Sequence, residues 1–261
     1  MQRLTAPAKL TMSLRIVGVR DDGYHLLDSE MVCIDFADEL EFRDGSGVEV
    51  VDEVIGGSGL GELGKGGANL VARALQELGR DAAVRLVKRI PVGAGLGGGS
   101  ADAAAVLRWA GCADPAVAAR LGADVPFCLS GGRARVGGIG DEVVPMPFEE
   151  RRFLLLLPPL SVDTGAAYRA WDEGARLSSV AHARNDLEAA ALMVTPELGR
   201  WRDAFGEAAG QRPQLAGSGA AWFVEDESGA LGARLGDRLV LSGTRAPLVA
   251  ARTLPPFGSA S

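Results

Sequence analysis

The sequence predicts an α+β fold built on antiparallel strands, and three observations predict it. The first forty residues read as strands separated by turn signals, the middle alternates strand with helix, and the second half runs strand, helices, strand, helix, strand. A chain of 261 residues suits one large domain or two modest ones. At that size roughly two-thirds to three-quarters of the unfolded surface can be buried, so the core needs no covalent staples.

In chain order, Lys9–Val19 alternates loosely between apolar and polar, and Arg20-Asp21-Asp22-Gly23 is a turn cluster leading to a second run, Met31–Phe36. Glu39–Phe42 and Val48–Val54 read as further short strands. Ile55–Gly67 holds seven glycines in thirteen residues, the composition of a flexible surface connection. Asn69–Gly79 has a helical period, with Leu70, Ala74, Leu75 and Leu78 on one face and Gly79 as a stop. Ala82–Lys88 is a strand that runs into a glycine-rich segment, then a helix from about Ser100 to Ala110. A short helix over Pro115–Leu121 precedes Gly122-Ala123-Asp124-Val125-Pro126, with strands at Arg133–Val136 and Glu142–Met146.

Phe153–Leu157, closed by Pro158-Pro159, is a buried strand that opens a second unit, so the expected domains are 1–150 and 151–261. Helices follow near Ala166–Gly174 and over Asp186–Gly210, then a strand at Ala221–Val224, a helix at Ser228–Leu235 and a strand at Leu239–Leu241. Pro255–Ser261 reads as a loose tail.

Composition narrows the function. A hydrophobic fraction of 47% excludes a largely disordered chain, and a net charge of −7 argues against general nucleic-acid binding. Cys33, Cys112 and Cys128 are odd in number and far apart, which points to buried free thiols rather than disulfides or zinc. Nothing approaches the ~20 apolar residues that span a bilayer. Met1–Leu10 lacks the pattern of a secretory signal, so the expected compartment is the cytoplasm, with no membrane partner.

The chemistry centres on Pro91-Val92-Gly93-Ala94-Gly95-Leu96-Gly97-Gly98-Gly99-Ser100-Ala101, between a strand and a helix. Glycines let a backbone approach a polyphosphate and aim several N–H groups at one anion, and the helix start adds its positive end. Ser100 lies where a hydroxyl could cap that helix or help hold a Mg²⁺ on the phosphates. The segment is not a Walker loop, and although it contains G-x-G-x-x-G it lacks the context of a dinucleotide fold. Protein-kinase signatures are absent.

Three separated segments, Ala6-Pro7-Ala8-Lys9-Leu10, Pro91–Ala101 and Ala216-Gly217-Ser218-Gly219, resemble the three motifs of the GHMP small-molecule kinases. Asp22-Gly23-Tyr24-His25, Leu121-Gly122-Ala123-Asp124-Val125-Pro126-Phe127 and Asn185-Asp186-Leu187-Glu188 resemble, within them, the branch acting on a cytidine diphosphate-linked methylerythritol in the non-mevalonate isoprenoid route. The likeness covers nearly the whole chain. It implies a two-domain GHMP kinase fold, with a ribosomal-protein-S5-domain-2-like N-terminal part, a ferredoxin-like α/β sandwich behind it, and the site in the cleft between.

The resemblance further implies ATP as phosphate donor with Mg²⁺, and Lys9 and Asp124 as the catalytic pair. Chemistry suits those roles: a carboxylate can accept the proton of an attacking hydroxyl, and an ammonium stabilises charge on the transferring group. By the same resemblance Asn69 and the glycine segment bind ATP. Thr11, Tyr24, His25, Thr164, Tyr168, Gly217, Ser218 and Gly219 then bind substrate, with Tyr24, His25 and Tyr168 around the cytosine. A monomer or weak homodimer is expected.

Four positions depart from the family pattern. Thr11 stands where Asn is usual, Gly165 where Pro is common, Ala220-Ala221 where Pro-Thr is common, and Asp28-Ser29-Glu30 is unusually acidic. Two alternatives therefore stay open: a kinase of this superfamily acting on another small alcohol, and a non-catalytic binding protein, for instance of RNA, on the same scaffold.

Overall fold

The structure is a computed structural model that describes residues 1–55, 70–174 and 183–258. The glycine-rich connection from 56 to 67 and Asn69 lie outside the described residues.

Strands β1 (Gln2–Val19) and β2 (His25–Arg43) form one long antiparallel hairpin. Met31–Phe36 and Glu39–Phe42, expected as separate strands, are one, because Ala37 and Asp38 stay in register with Pro7 and Ala6. The turn between β1 and β2 is closed by the Arg20 N–H donating to the Tyr24 carbonyl at 2.8 Å. Along the other edge of β2, β4 (Ala83–Lys88) pairs with Glu39–Arg43 and β5 (Arg133–Gly137) with Ser29–Val32, and β6 (Glu142–Met146) extends the sheet beyond β5.

One pairing departs from the antiparallel expectation. Strand β3 (Gly47–Asp52) runs parallel to β4. A parallel pair needs a long crossover, and α1 (Leu70–Glu77) lies on that connection. With α2 (Gly98–Trp109), α3 (Pro115–Leu121) and α4 (Val125–Ser130), it packs on the first sheet. Ala103, Ala104 and Ala105 of α2 are fully buried, and their small side chains let the helix lie close to β1.

The second sheet has the order β10 (Arg238–Leu241), β11 (Thr244–Arg252), β7 (Arg152–Leu156), β9 (Trp222–Glu225), β8 (Gln214–Leu215). Strand β11 was not expected, because Ala246–Ala251 is a run of small and apolar residues with no alternation to mark a strand. The helices here are α5 (Thr164–Asp172), α6 (Glu188–Val194), α7 (Glu197–Ala209) and α8 (Ala230–Leu235). The single helix expected over Asp186–Gly210 is divided at Thr195-Pro196, where proline has no N–H and keeps the preceding residue extended.

The tail is not loose as far as Gly258. Pro256 bridges Gly131, the Phe257 N–H donates to the Ser130 carbonyl at 3.0 Å, and the Arg108 guanidinium lies 3.9 Å from the Phe257 ring centre.

What joins the halves is β7. Phe153, Leu155 and Leu157 pack with Leu10, Met12 and Ile34 of the first sheet. Leu154 and Leu156 pack with Leu198, Trp201 and Phe205 of α7. Both faces of the strand are covered, which is why it reads as an unbroken apolar run. Leu155→Ala is expected to destabilise the protein by about 2–5 kcal/mol. Urea unfolding followed by fluorescence and circular dichroism should keep coincident transitions; two separated transitions would contradict the shared core.

Candidate active site

The segment between β4 and α2 is held by its glycines in a shape other residues resist. Gly93, Gly95 and Gly97 have φ of 68°, 75° and 68°, while Ala94 and Leu96 between them are buried in the core. A Cβ on Gly95 would lie 1.9 Å from the Ala216 carbonyl oxygen, and one on Gly97 would lie 2.8 Å from Lys9 Cγ. The backbone is bonded on both sides. The Lys9 N–H donates to the Leu96 carbonyl at 3.0 Å, and the Ala220 and Ala221 N–H groups donate to Gly93 and Ala94 at 2.8 and 3.0 Å. The three motif segments therefore touch one another, and these glycines serve the protein's own close packing before they serve any ligand.

Helix α2 begins inside the glycine run, at Gly98, with Gly97 as a cap residue that has no side chain to close the helix end. Ser100, expected as a possible cap, is the third residue of the helix and lines the adjoining cavity. Ala101 is 1% exposed and belongs to the core, not to the cavity wall.

That cavity, of about 720 Å³, collects most of the residues the sequence singled out. Lys9 and Asp124 face each other across it, Nζ to Oδ2 at 3.5 Å. Asp124 occupies the cap position of α4, yet its carboxylate makes no cap hydrogen bond, so the helix leaves it available. The Lys9 ammonium also donates to Thr11 Oγ1 at 3.0 Å. Thr11 is 2% exposed and lies outside the cavity lining, so it holds Lys9 instead of meeting a ligand.

Gly217 and Ser218 line the cavity, whereas Gly219 does not. Their loop is fixed by buried Asn185, whose Nδ2 donates to the carbonyls of Leu215 and Gly217 at 3.0 and 2.6 Å. Ser218 and Thr164 share a hydroxyl hydrogen bond of 2.8 Å.

At the other end are the aromatic residues. The His25 ring stacks on Tyr168 at 4.6 Å and meets Trp171 edge-on at 5.5 Å, and its Nε2 is 2.8 Å from Asp172 Oδ1. Burial, and then the Asp124 carboxylate, push the Tyr168 hydroxyl up to about 12, which ties this end to Asp124. Tyr24 lines the cavity while remaining 58% exposed. The acidic Asp28-Ser29-Glu30 stretch stays out of the lining. Asp28 pairs with Arg135 at 2.7 Å and Glu30 with Arg133 at 2.8 Å, so its charges are balanced within the sheet.

Lys88, Asp102, Arg169 and Asp172 also line the cavity, and the sequence reading missed all four. In the sequence Lys88 reads as the end of a strand, and Asp102 lies in an alanine-rich helix. The one available signal was a charged residue on each element's buried face. Burial raises the Asp102 carboxyl, Lys88 opposes the shift, and nearby Asp38 adds to it, bringing the group to about 7. For Lys88 burial pulls downward, but Asp102 and Asp38 outweigh it and the net shift is upward.

Among the described residues no group of three or more His, Cys, Asp or Glu side chains could hold a metal alone. A Mg²⁺ carried on nucleotide phosphates needs only one or two protein oxygens, and the Ser100 hydroxyl at the cavity fits that demand. Cys33 and Cys128 are buried free thiols, both pushed up chiefly by burial; Cys112 is half-buried, against the expectation for all three.

A profile described as the GHMP kinases N terminal domain matches residues 65–132. In fold, the chain is like L. major mevalonate kinase in complex with R-mevalonate, with a TM-score of 0.67 at 12% identity, covering 100% of this chain and 97% of that one. The fold is that of the GHMP kinases. Closer likenesses go further. The chain is 37% identical to the 4-diphosphocytidyl-2-C-methyl-D-erythritol kinase of Paracoccus denitrificans, over 85% of this chain and 86% of that protein. It is 40% identical to the enzyme of that name from Novosphingobium aromaticivorans, over 85% and 83%. A crystal structure of 4-(cytidine 5'-diphospho)-2C-methyl-D-erythritol kinase matches with a TM-score of 0.74 and 31% identity, covering 97% of this chain and 100% of that one. The chain belongs to the 4-diphosphocytidyl-2-C-methyl-D-erythritol kinase family.

The contact between Gly97 and Lys9 makes a specific forecast. Gly97→Val should displace Lys9 as well as strain the loop, so turnover should fall by on the order of tenfold or more while the KM for ATP rises. Steady-state kinetics check it: a rise in KM alone would mean Lys9 does not depend on this glycine.

Proposed function

We propose that the protein transfers the terminal phosphate of ATP to the 2-hydroxyl of 4-diphosphocytidyl-2-C-methyl-D-erythritol. The product feeds isoprenoid precursor synthesis by the non-mevalonate route, in the cytoplasm. One observation carries the reading: the Lys9 ammonium and Asp124 carboxylate stand 3.5 Å apart, in the cavity walled by the glycine loop. The chain's membership of this kinase family says which alcohol.

In the reaction the substrate hydroxyl oxygen bonds to the γ-phosphorus of ATP as the bond to the β–γ bridging oxygen breaks and ADP leaves. Asp124 accepts the hydroxyl proton, and Lys9, steadied by Thr11, offsets negative charge on the transferring group. Residues 91–100 present the phosphate-binding backbone, and Ser100 would hold the Mg²⁺ that neutralises the phosphates. Tyr24, His25 and Tyr168 hold the cytosine end, with Thr164, Gly217 and Ser218 nearer the acceptor. Residues 1–150 and 151–261 serve as the two domains, and the chain acts as a monomer or weak homodimer without nucleic acid.

A second reading, another small alcohol as acceptor, draws on Thr11 in place of the usual Asn. Its other support is weakened by the ion pairs that balance Asp28 and Glu30. Coupled ADP-release assays with Mg-ATP across candidate alcohols separate the two, the expected result being turnover on the cytidine-linked compound and little on mevalonate or homoserine. Asp124→Asn should then cut turnover by on the order of 10²–10⁴ with nucleotide affinity nearly unchanged by calorimetry. Wild-type turnover in that variant would remove Asp124 from the mechanism.

A further inference from the structure

The strand entering the glycine loop and the helix leaving it are joined by three buried ionisable side chains. Asp38 on β2 is fully buried, and Lys88 at the end of β4 and Asp102 on α2 are each 3% exposed. The Lys88 ammonium donates to Asp38 Oδ2 and, at 2.7 Å, to Asp102 Oδ2. The other oxygen of Asp38 accepts the backbone N–H groups of Arg89 and Ile90, at 2.6 and 2.9 Å. One carboxylate thus binds three donors, two of them on the residues immediately before Pro91, where the loop begins. The far end of the loop meets the same ammonium, since a Cβ on Gly98 would lie 3.2 Å from Lys88 Nζ.

Packing alone does not call for this arrangement. Desolvating buried ions costs several kcal/mol each, and well-packed apolar side chains of similar volume often hold a core as well or better. Val84 and Leu86 of β4 already pack in one core with Ala103–Leu107 of α2. Directional bonds add something apolar contact cannot, a fixed spacing and angle between two chain segments. We propose that Asp38, acting through Lys88 and Asp102, is a positioning residue for ATP: it sets the separation of the two ends of the glycine loop and so the width of the phosphate cradle. Asp38 itself is absent from the cavity lining, so it acts through its neighbours and not by touching a ligand. This inference rests on the reading that the loop binds ATP.

The test compares Asp38→Asn with the double variant Lys88→Met/Asp102→Leu. Asp38→Asn keeps the shape of the side chain while removing its charge. The double variant removes the link between β4 and α2; Asp38 loses its counter-ion and keeps its two backbone donors. KM is the informative readout, because a fold that is merely weakened lowers the active fraction and apparent turnover without changing KM. Both variants should raise the KM for ATP by about tenfold, with the KM for the alcohol substrate within about twofold of wild type. Thermal melts establish that each is folded. An unchanged KM for ATP in both would overturn the proposal. A rise only in the double variant would also overturn it, since Lys88 and Asp102 would then contact nucleotide directly. Should the double variant not fold, Asp38→Asn decides alone, and an unchanged KM for ATP in it overturns the proposal. The wild-type assay keeps the premise separate: if wild type releases no ADP, the kinase reading fails before the positioning role is tested.

Discussion

Lys9 crosses the glycine loop at a distance that only a residue without a Cβ permits, 2.8 Å from Lys9 Cγ to the place where a Cβ on Gly97 would stand. The same lysine gives its backbone N–H to the Leu96 carbonyl. Gly217 closes the third side, since its Cβ would lie 3.0 Å from both Lys9 Nζ and the Gly95 carbonyl oxygen. Segments that begin at residues 6, 91 and 216 are thus set against one ammonium. From that position it approaches Asp124 at 3.5 Å.

The surrounding fold serves this junction. The long β1–β2 hairpin carries Lys9 and Thr11 on one strand and Asp38 on the other, while β4 and α2 deliver the two ends of the loop. Strand β7, buried on both faces, joins the first sheet to the helices that carry Thr164, Tyr168 and Asn185's neighbours. Asn185 then holds the carbonyls of Leu215 and Gly217, so the third motif is braced from the helical side as well. Rigid elements meeting at one point suit a reaction in which the protein contributes mainly positioning and charge.

Much of this was legible in the sequence where local rules govern. Pro115–Leu121, Arg133–Val136 and Glu142–Met146 read correctly from period, turn residues and an N1 proline, and the motif residues Lys9, Asp124, Tyr168 and Ser218 do line one cavity. The failures have physical causes. Strand β11 carries no alternation of apolar and polar residues over Ala246–Ala251 to mark it, and Pro196 divided a helix whose apolar period runs on across the break. Thr11 was expected at the substrate because the resemblance places it there; on β1 its hydroxyl meets Lys9, and it lies outside the cavity lining. Asp38, Lys88 and Asp102 were invisible because their meaning lies in one another, and they are 14 to 64 residues apart in sequence.

If Lys9 and Asp124 act as one unit, fixed where the three motifs meet, their contributions to turnover are coupled. A double-mutant cycle on turnover with Lys9→Met and Asp124→Asn tests it most directly. Residues that work as a unit are strongly non-additive, so the double variant should fall within about threefold of the worse single variant. If the two losses instead multiply, the residues contribute independently, and the 3.5 Å approach between them would have no mechanistic meaning.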